Sequence, residues 1–469
     1  MRLGILIMAA GKGTRLKSRR AKVLHEIGGR PLVRHVIDAA AQVVPPRDIF
    51  VIVGHQGDTV QAAVRDTGVQ FVIQEEQRGT GHAVQTAETA TRDYDELIVL
   101  SGDVPLLRPE TIVALRDFHL REQAAMTILT AAPEDPHGYG RVLRKHEGKP
   151  EVKAIVEQKA LTPEQQAARE INSGIYAFRR AALYGHIGQL RTDNAHKELY
   201  LTDLAQILVA AGERVVAIEA GEATEVLGAN TIAEMMDLDR ELRMSIARKL
   251  MAEGVTIFRP DTVVIDAGVE VGADTVIEPF VQLLGATRLG SGCRIRSFSV
   301  LESTTLGDRV LVQQSCLLEH SEVERGAQIG PFAHTRPGSH LGEDVHLGNF
   351  VETKKTRMGQ GSKANHLSYL GDAQIGAGVN VGAGTITCNY DGAGKYQTVI
   401  GNGVFVGSDT ALVAPVSIGD GAYIGAGSVI TENVPADALA LGRARQVNKE
   451  HWAKNVRARR EARKPGSSS

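Results

Sequence analysis

"IGDGAYIGAGSVI", Ile418 to Ile430, puts an aliphatic residue at Ile418, Ile424 and Ile430, six positions apart each time. Upstream, Ile400, Val406 and Leu412 continue the series, and Val271, Ile277, Leu283, Leu289, Ile295 and Leu301 hold the same spacing. A period of six is neither the 3.6 of a helix nor the 2.0 of a single strand. It suits a parallel β-helix, in which each coil has three short sides and each side turns one aliphatic side chain inward. Glycine, asparagine and aspartate supply the corners, which accounts for 50 glycines in 469 residues, above the usual roughly 7 per cent. Two unbroken sets of six argue against chance spacing in an aliphatic-rich chain.

The period also breaks. It slips by one near Leu306 and again near Val323, then resumes through "GPFAHTRPGSH" to Leu341. Two stretches read as polar loops leaving the solenoid: "GNFVETKKTRMGQGSKANHLSYLGDAQ", between Leu347 and Ile375, and "TITCNYDGAGKYQTV", before Ile400. Loops on a rigid scaffold are where binding groups tend to be carried. Cys316 falls near the interior in this register and is expected only to pack.

The first 228 residues have another character. "GILIMA", "DIFVIVG", "VQFVIQ", "ELIVLSGD", "AMTILTA" and "VVAIEA" read as strands; "PLVRHVIDAAAQVV", "GHAVQTAETAT" and "PETIVALRDFHLRE" read as helices. Continuous rather than alternating hydrophobicity in the strands implies burial on both faces, as in a mostly parallel, doubly wound, Rossmann-like α/β sheet. Residues 229–254 carry a helical stripe (Ile232, Met235, Leu238, Leu242, Ile246, Leu250) closed by Gly254, and read as a linking helix. The expected organisation is therefore 1–228 α/β, 229–254 linker, 255–447 β-helix, and 448–469 a basic tail whose Gly/Ser end is expected to fray.

Near the start, "GILIMAAGKGTRLKSRRAKVLHEIGGRPL", Gly4 to Leu32, runs from a buried strand into glycines and cations. Backbone amides of Ala10, Gly11, Lys12 and Gly13 are suited to cradle a phosphate. It is neither a G-x-x-x-x-G-K-[ST] loop, since Leu6 and Gly13 stand at two of the required positions, nor a G-x-G-x-x-G fingerprint, whose third glycine is Leu16. Asp103, at a strand's end in "LSGDVP", is placed to hold Mg²⁺ with phosphate oxygens. In "ANHLSY", His366 is a candidate base near neutral pH.

The bulk properties exclude several classes. Net charge is -2 and the isoelectric point about 6.7, so no whole-surface nucleic-acid or anionic-membrane partner is indicated. Three scattered cysteines, Cys293, Cys316 and Cys388, make neither a disulfide frame nor a zinc site. No apolar run approaches the roughly 20 residues of a membrane helix, and the N-terminus has no signal-peptide pattern, so the cytoplasm is expected. His25, His35, His55 and His82 form no ligand cluster and read as structural.

"AAGKGTR", the lysine of "AKVLH", "SGDVPL", "QRGTGHA", "GYGRV", "NSGIY" and "KELYLTD", followed by a hexapeptide β-helix, together resemble one family. It is that of the bacterial bifunctional N-acetylglucosamine-1-phosphate uridyltransferase / glucosamine-1-phosphate N-acetyltransferases, and the resemblance covers all but the tail. It implies a left-handed β-helix and a homotrimer. It also implies acetylation of glucosamine 1-phosphate by acetyl-CoA, then transfer of UMP from UTP with release of pyrophosphate. The product, UDP-N-acetylglucosamine, feeds peptidoglycan and lipopolysaccharide precursors.

For the first domain the resemblance implies Arg15 and Lys22 as catalytic cations and Asp103 with Asn230 as Mg²⁺ ligands. Nucleotide and sugar contacts fall on Met8, Ala9, Ala10, Gly11, Lys22, Gln74, Gly79, Thr80, Ser101, Gly102, Asp103, Gly140, Glu157, Asn172 and Asn230. For the second it implies His366 as base and Arg336, Lys354, Tyr369, Asn380 and Lys395 around the sugar phosphate. Ala383, Asn389, Tyr390, Ser408, Ala426 and Arg443 are implied for acetyl-CoA, Asn389 also touching sugar. Met8 stands where the family usually has Leu, and Ala21 where Pro usually precedes the lysine; the alanine is expected to loosen the loop carrying Lys22.

Two other readings compete. A nucleotidyltransferase whose β-helix only oligomerises would carry no catalytic constellation in the solenoid, which Arg336, Lys354, His366 and Lys395 argue against. A structural or surface-binding array would show an unbroken repeat with a uniform outer ladder, and this repeat is interrupted.

Overall fold

The computed structural model describes residues 1–146, 148–194 and 197–462. The chain forms two compact units: Met1–Lys249 with Ile265–Gly268, and Leu250–Val264 with the chain from Val269 on.

In the first unit the sheet strands are β1 (Leu3–Ala9), β2 (Ile49–Val53), β3 (Gln70–Ile73), β4 (Glu96–Ser101), β5 (Met126–Ala131), β6 (Arg141–Arg144), β7 (Val152–Val156), β8 (Ile171–Arg179) and β9 (Val215–Glu219). They pair in the order β9-β5-β8-β4-β1-β2-β3, with the β6–β7 hairpin attached to β8. Ile5, Ile7 and Ala9 enter one core, with Val33, Val36 and Ile37 of α1 (Leu32–Ala40), Val60 and Val64 of α2 (Gly57–Val64), and Leu115 of α4 (Pro109–Arg121). Leu6 and Ala10 face the other, with Val84 of α3 (Thr80–Thr86), Leu183 of α5 (Arg180–His186) and Leu204 of α6 (Asp203–Ala210). Burial on both faces is the reason the strands read as unbroken apolar runs.

Three strands of this sheet escaped the sequence reading: β6, β7 and β8. β8 lies antiparallel between β4 and β5, so the sheet is mixed. The register shifts between Asn172 and Ile175 and the strand continues through the bulge. The helix expected over 229–254 is α7, Ile232–Ala252, most of it in the first unit, with Met235 and Leu238 buried but Ile232 exposed.

The second unit is a left-handed β-helix whose three faces hold eleven, ten and nine short parallel strands. Leu283, Leu301, Leu318 and Leu370 are fully buried along the second face. Two residues before each inward aliphatic, a small residue is also buried. At several of these positions a Thr or Ser hydroxyl reaches a carbonyl of the next coil: Thr287 to Leu301 O (3.2 Å), Ser299 to Gln313 O (2.8 Å), Thr356 to Leu370 O (2.7 Å); others, such as Thr410 to Gly407 O (2.6 Å), donate within their own coil. These bonds satisfy the hydroxyls that make them and tie neighbouring coils together, while the buried Thr335 and Thr398 hydroxyls make none.

The expectation of a polar loop from Leu347 to Ile375 is overturned. That stretch is regular solenoid, pairing Thr335 with Thr353, Leu347 with Ala364, and Met358 with Ile375. Thr353 and Ala364 are buried at inward positions. The aliphatic pattern vanishes there because small residues fill the core, and two sides are one residue short, as they are at Leu306 and Val323. The stretch before Ile400 is a true excursion: Ile375 pairs directly with Ile400, across a coil longer than its neighbours.

The tail carries a helix, α8 (Trp452–Ala462), with no buried residue. The Gly/Ser end lies outside the described residues. Among the described residues no helix is long and apolar enough to cross a membrane.

Candidate active sites

At the C-terminal ends of β1 and β4 a cavity of about 590 Å³ is lined by Met8, Ala10, Gly11, Arg15, Lys22, Gln74, Gly79, Thr80, Ser101, Asp103 and Asn230, all implied by the sequence, with Lys12, Gly13, Gln77 and Glu198. Ligands of open α/β sheets sit at this end of the strands. Lys22 begins a single 3-10 turn whose Val23 and Leu24 are buried, so its stem is anchored. Its ammonium ion-pairs with Asp103 and donates to Asn230 Oδ1 (3.1 Å), while the Arg15 guanidinium donates to the same oxygen (2.7 Å). Asn230 is held where α7 begins, its N–H donating to Glu234 (2.8 Å).

Ala21 does not loosen this loop. Its φ of -55° lies where proline would fix it, and its N–H, which proline lacks, donates to Gln56 Oε1 (2.9 Å). Gln56 also donates to Arg19 O (2.7 Å), clasping the loop from both sides.

Gln74 is nearly buried and donates to Gly79 O (3.2 Å) and contacts His82 Nδ1 (3.1 Å), so His82 is structural through a residue of the site. Gly79 has φ 109°, and a Cβ there would lie 2.6 Å from Leu199 O. Only glycine lets the 79–80 turn approach the 199–201 segment, whose Leu201 N–H donates to Thr80 Oγ1 (3.0 Å).

Ala9 and Gly102 are close to the cavity but do not line it; Ala9 packs into the core and the Gly102 N–H donates to Met8 O (3.0 Å). Gly140, Glu157 and Asn172 form a neighbouring group: Asn172 N–H donates to Gly140 O (2.9 Å), and Thr202 Oγ1 to Glu157 (3.3 Å). Tyr139 stands beside them, its hydroxyl pKa raised by burial, then by the charges of Glu234 and Asp103. Sequence reasoning missed Glu198 and Gln77 as cavity residues, although Glu198 lies inside the quoted "KELYLTD".

In the β-helix, Asn349 and His366 pair across adjacent coils at the corner between the first and second faces. The pairing of Val381 with Val406 and Val406 with Ile424 carries the same column through Ala383, Ser408 and Ala426. A Cβ on Gly427 would lie 3.7 Å from the Arg443 side chain, which places Arg443 beside the end of that column. His366 is exposed, with Nδ1 2.7 Å from Asn349 Oδ1.

Arg336 and Lys354 follow consecutive inward residues of the second face, Thr335 and Thr353. The Lys354 pKa is lowered chiefly by contact with Lys395, then by Arg336, with Asp372 opposing. Arg336 also donates to Glu352 (3.0 Å). Asn389 donates to Asp372 (2.5 Å), and Tyr390 pairs with Lys395 across the excursion. Tyr369 projects from the second face beside Ile386, and Asn380 from the first beside Phe405. Sequence reasoning missed Asn349 and Asp372; Asn349 was legible only once the coil register through the misread stretch was known.

Two separate centres, one on a nucleotidyltransferase-type sheet and one on a hexapeptide solenoid, define the chain as a two-centre transferase. Residues 5–200 match the MobA-like NTP transferase domain, and residues 397–432 the bacterial transferase hexapeptide (six repeats). Over 464 residues, 99% of both chains, the sequence is 59% identical to the bifunctional protein GlmU of Koribacter versatilis (strain Ellin345). It is 50% identical to that of Solibacter usitatus (strain Ellin6076) and 43% to that of Streptococcus agalactiae serotype V, covering at least 96% of this chain and 97% of each relative. The chain belongs to the bifunctional GlmU family, and it is both a uridyltransferase and a glucosamine-1-phosphate acetyltransferase.

Proposed function

We propose that acetylation occurs along the His366 corner of the β-helix and uridylyl transfer in the Lys22–Asp103–Asn230 cavity, in that order. The observation that carries the first assignment is the contact of Lys354 with Lys395 beside Arg336. Like charges held together against their repulsion favour an anion between them, such as a sugar phosphate. The amine of the bound amino sugar attacks the thioester carbonyl, His366 Nε2 takes the amine proton, and CoA leaves as the thiol. Tyr369, Asn380 and Asn389 orient the sugar, and the column Ala383–Ser408–Ala426, with Tyr390 and Arg443 near it, provides a low wall for acetyl-CoA.

In the cavity the sugar phosphate oxygen attacks the α-phosphorus of UTP and pyrophosphate leaves; positioning and charge carry such a step. Arg15 and Lys22 neutralise the phosphates, Gln74, Gly79 and Thr80 read the uracil, and Gly140, Glu157 and Asn172 hold the amino sugar. The oxygens of Asp103 and Asn230 converge on one cation, the Lys22 ammonium. That hard-oxygen pair fits Mg²⁺, which would supply charge neutralisation on the triphosphate when bound.

We further propose a cytoplasmic homotrimer assembled through the β-helix. Phe280, Phe298, Phe332, Phe350 and Leu367 are exposed at one corner, next to the His366 column. All have positive φ, and two pairs stack with centroids 5.1 and 5.3 Å apart. An exposed apolar ladder of this length favours burial against another copy.

The test is thiol release from acetyl-CoA and glucosamine 1-phosphate without UTP. Release that disappears in His366→Ala is expected. No release, with UDP-sugar still formed from N-acetylglucosamine 1-phosphate, UTP and Mg²⁺, would leave a nucleotidyltransferase on a scaffold.

A further inference from the structure

We infer that Asn349 is the positioning residue of the acetyl-transfer centre, fixing the His366 imidazole as the Nδ1–H tautomer so that Nε2 faces substrate with a free lone pair. The inference rests on the reading of His366 as the base. It begins from one contact, 2.7 Å between His366 Nδ1 and Asn349 Oδ1. An amide oxygen can only accept, so the imidazole nitrogen facing it carries the hydrogen. A neutral imidazole has one such hydrogen, and the other nitrogen is then the base.

The fold holds the pair in place. Asn349 pairs with His366, as Leu347 pairs with the buried Ala364. Between them, Gly348 lies so close to the next coil that a Cβ would stand 2.0 Å from Asn365 O. Any side chain at 348 would push the two coils apart and break the contact.

The choice of an amide has a chemical consequence. A carboxylate here would orient the ring equally well but would stabilise the imidazolium and raise its pKa. The neutral amide selects the tautomer without that charge. His346, from the preceding coil, is close enough for its pKa to feel the His366 charge, and the column neighbours Asn349 and Ala383 carry no charge.

Three measurements on the full-length protein test this. In ¹⁵N-labelled wild type, His366 is expected to show the Nδ1–H signature, and in Asn349→Ala a mixture of tautomers. The Asn349→Ala substitution is expected to lower kcat for thiol release by about 10- to 100-fold, the usual range for losing an orienting partner, with KM for both substrates nearly unchanged. Asn349→Asp is expected to retain most activity at high pH, with the acidic limb of its pH profile moved up by about one unit. An Nε2–H signature in wild type, or full kcat in Asn349→Ala together with an unmoved limb in Asn349→Asp, overturns the inference. If wild type releases no thiol while uridylyl transfer proceeds, the assignment of His366 as base fails instead, and the tautomer spectra alone still decide whether Asn349 orients the ring.

Discussion

At the scale of single residues the two centres make separable demands. Asp103→Asn removes the carboxylate that pairs with Lys22 and is expected to lower uridylyl transfer by 100-fold or more, on the order of losing one key electrostatic partner, while thiol release stays within twofold. His366→Gln is expected to do the converse. Lys395 presents a different balance. Its contact with Lys354 lowers the latter's pKa, so the repulsion is a cost to the folded chain while Lys354 is charged, one that fades as pH rises through the lowered pKa of Lys354. Replacing Lys395 with Met is therefore expected to raise KM for the amino-sugar phosphate without lowering Tm at pH 7, a site that gives up stability for binding. The thiols give a third check. Burial pushes the Cys316 thiol up to about 11 and also raises that of Cys293. A thiol reagent at pH 8 is expected to label the native chain at the half-buried Cys388 before either of them.

At the scale of elements each face of the solenoid has a mainly aliphatic inward column and a small-residue column that mixes Val, Ala and Cys with Thr and Ser. Thr287→Val keeps the volume but removes the hydroxyl that donates to Leu284 O (2.7 Å) and reaches Leu301 O (3.2 Å); it is expected to cost about 1 kcal/mol, measured by denaturant unfolding. Leu301→Ala, in the aliphatic column, is expected to cost about 2–5 kcal/mol. In the first unit the turn at Gly79 has no room for a methyl group, with φ 109° and Leu199 O at 2.6 Å. Gly79→Ala is expected to raise KM for UTP more than it lowers Tm, because the turn can move only into the cavity. The loop before Lys22 shows how an element compensates: the Gln56 amide supplies from outside the restraint that proline supplies from within.

At the scale of the whole molecule the division into two units predicts two calorimetric transitions. UTP with Mg²⁺ is expected to raise only one of them, by linkage to the unit that binds it; a single transition shifted by either ligand would contradict the independence of the sites. The six-residue period, the strand order of apolar runs and the glycine turn after β1 were all legible in the chain, because each is a local repetition that burial imposes on neighbouring positions. The amides of Ala10, Gly11, Lys12 and Gly13 and the Asp103 of the cavity were legible in the same way, at strand ends, while its other expected residues came from the resemblance. Resemblance rather than pattern supplied Arg336, Lys354 and Lys395; the "VETKKTR" that carries Lys354 reads locally as well as a solvated charge run. What local pattern could not reveal was β8, interrupted by its own bulge, and the solenoid between Leu347 and Ile375, where threonine and alanine fill the core as well as leucine would. The partnership of Asn349 with His366 lay further out of reach. Those residues share a corner because consecutive coils stack in register, and register is set by where the chain shortens a side, which depends on how all three faces close.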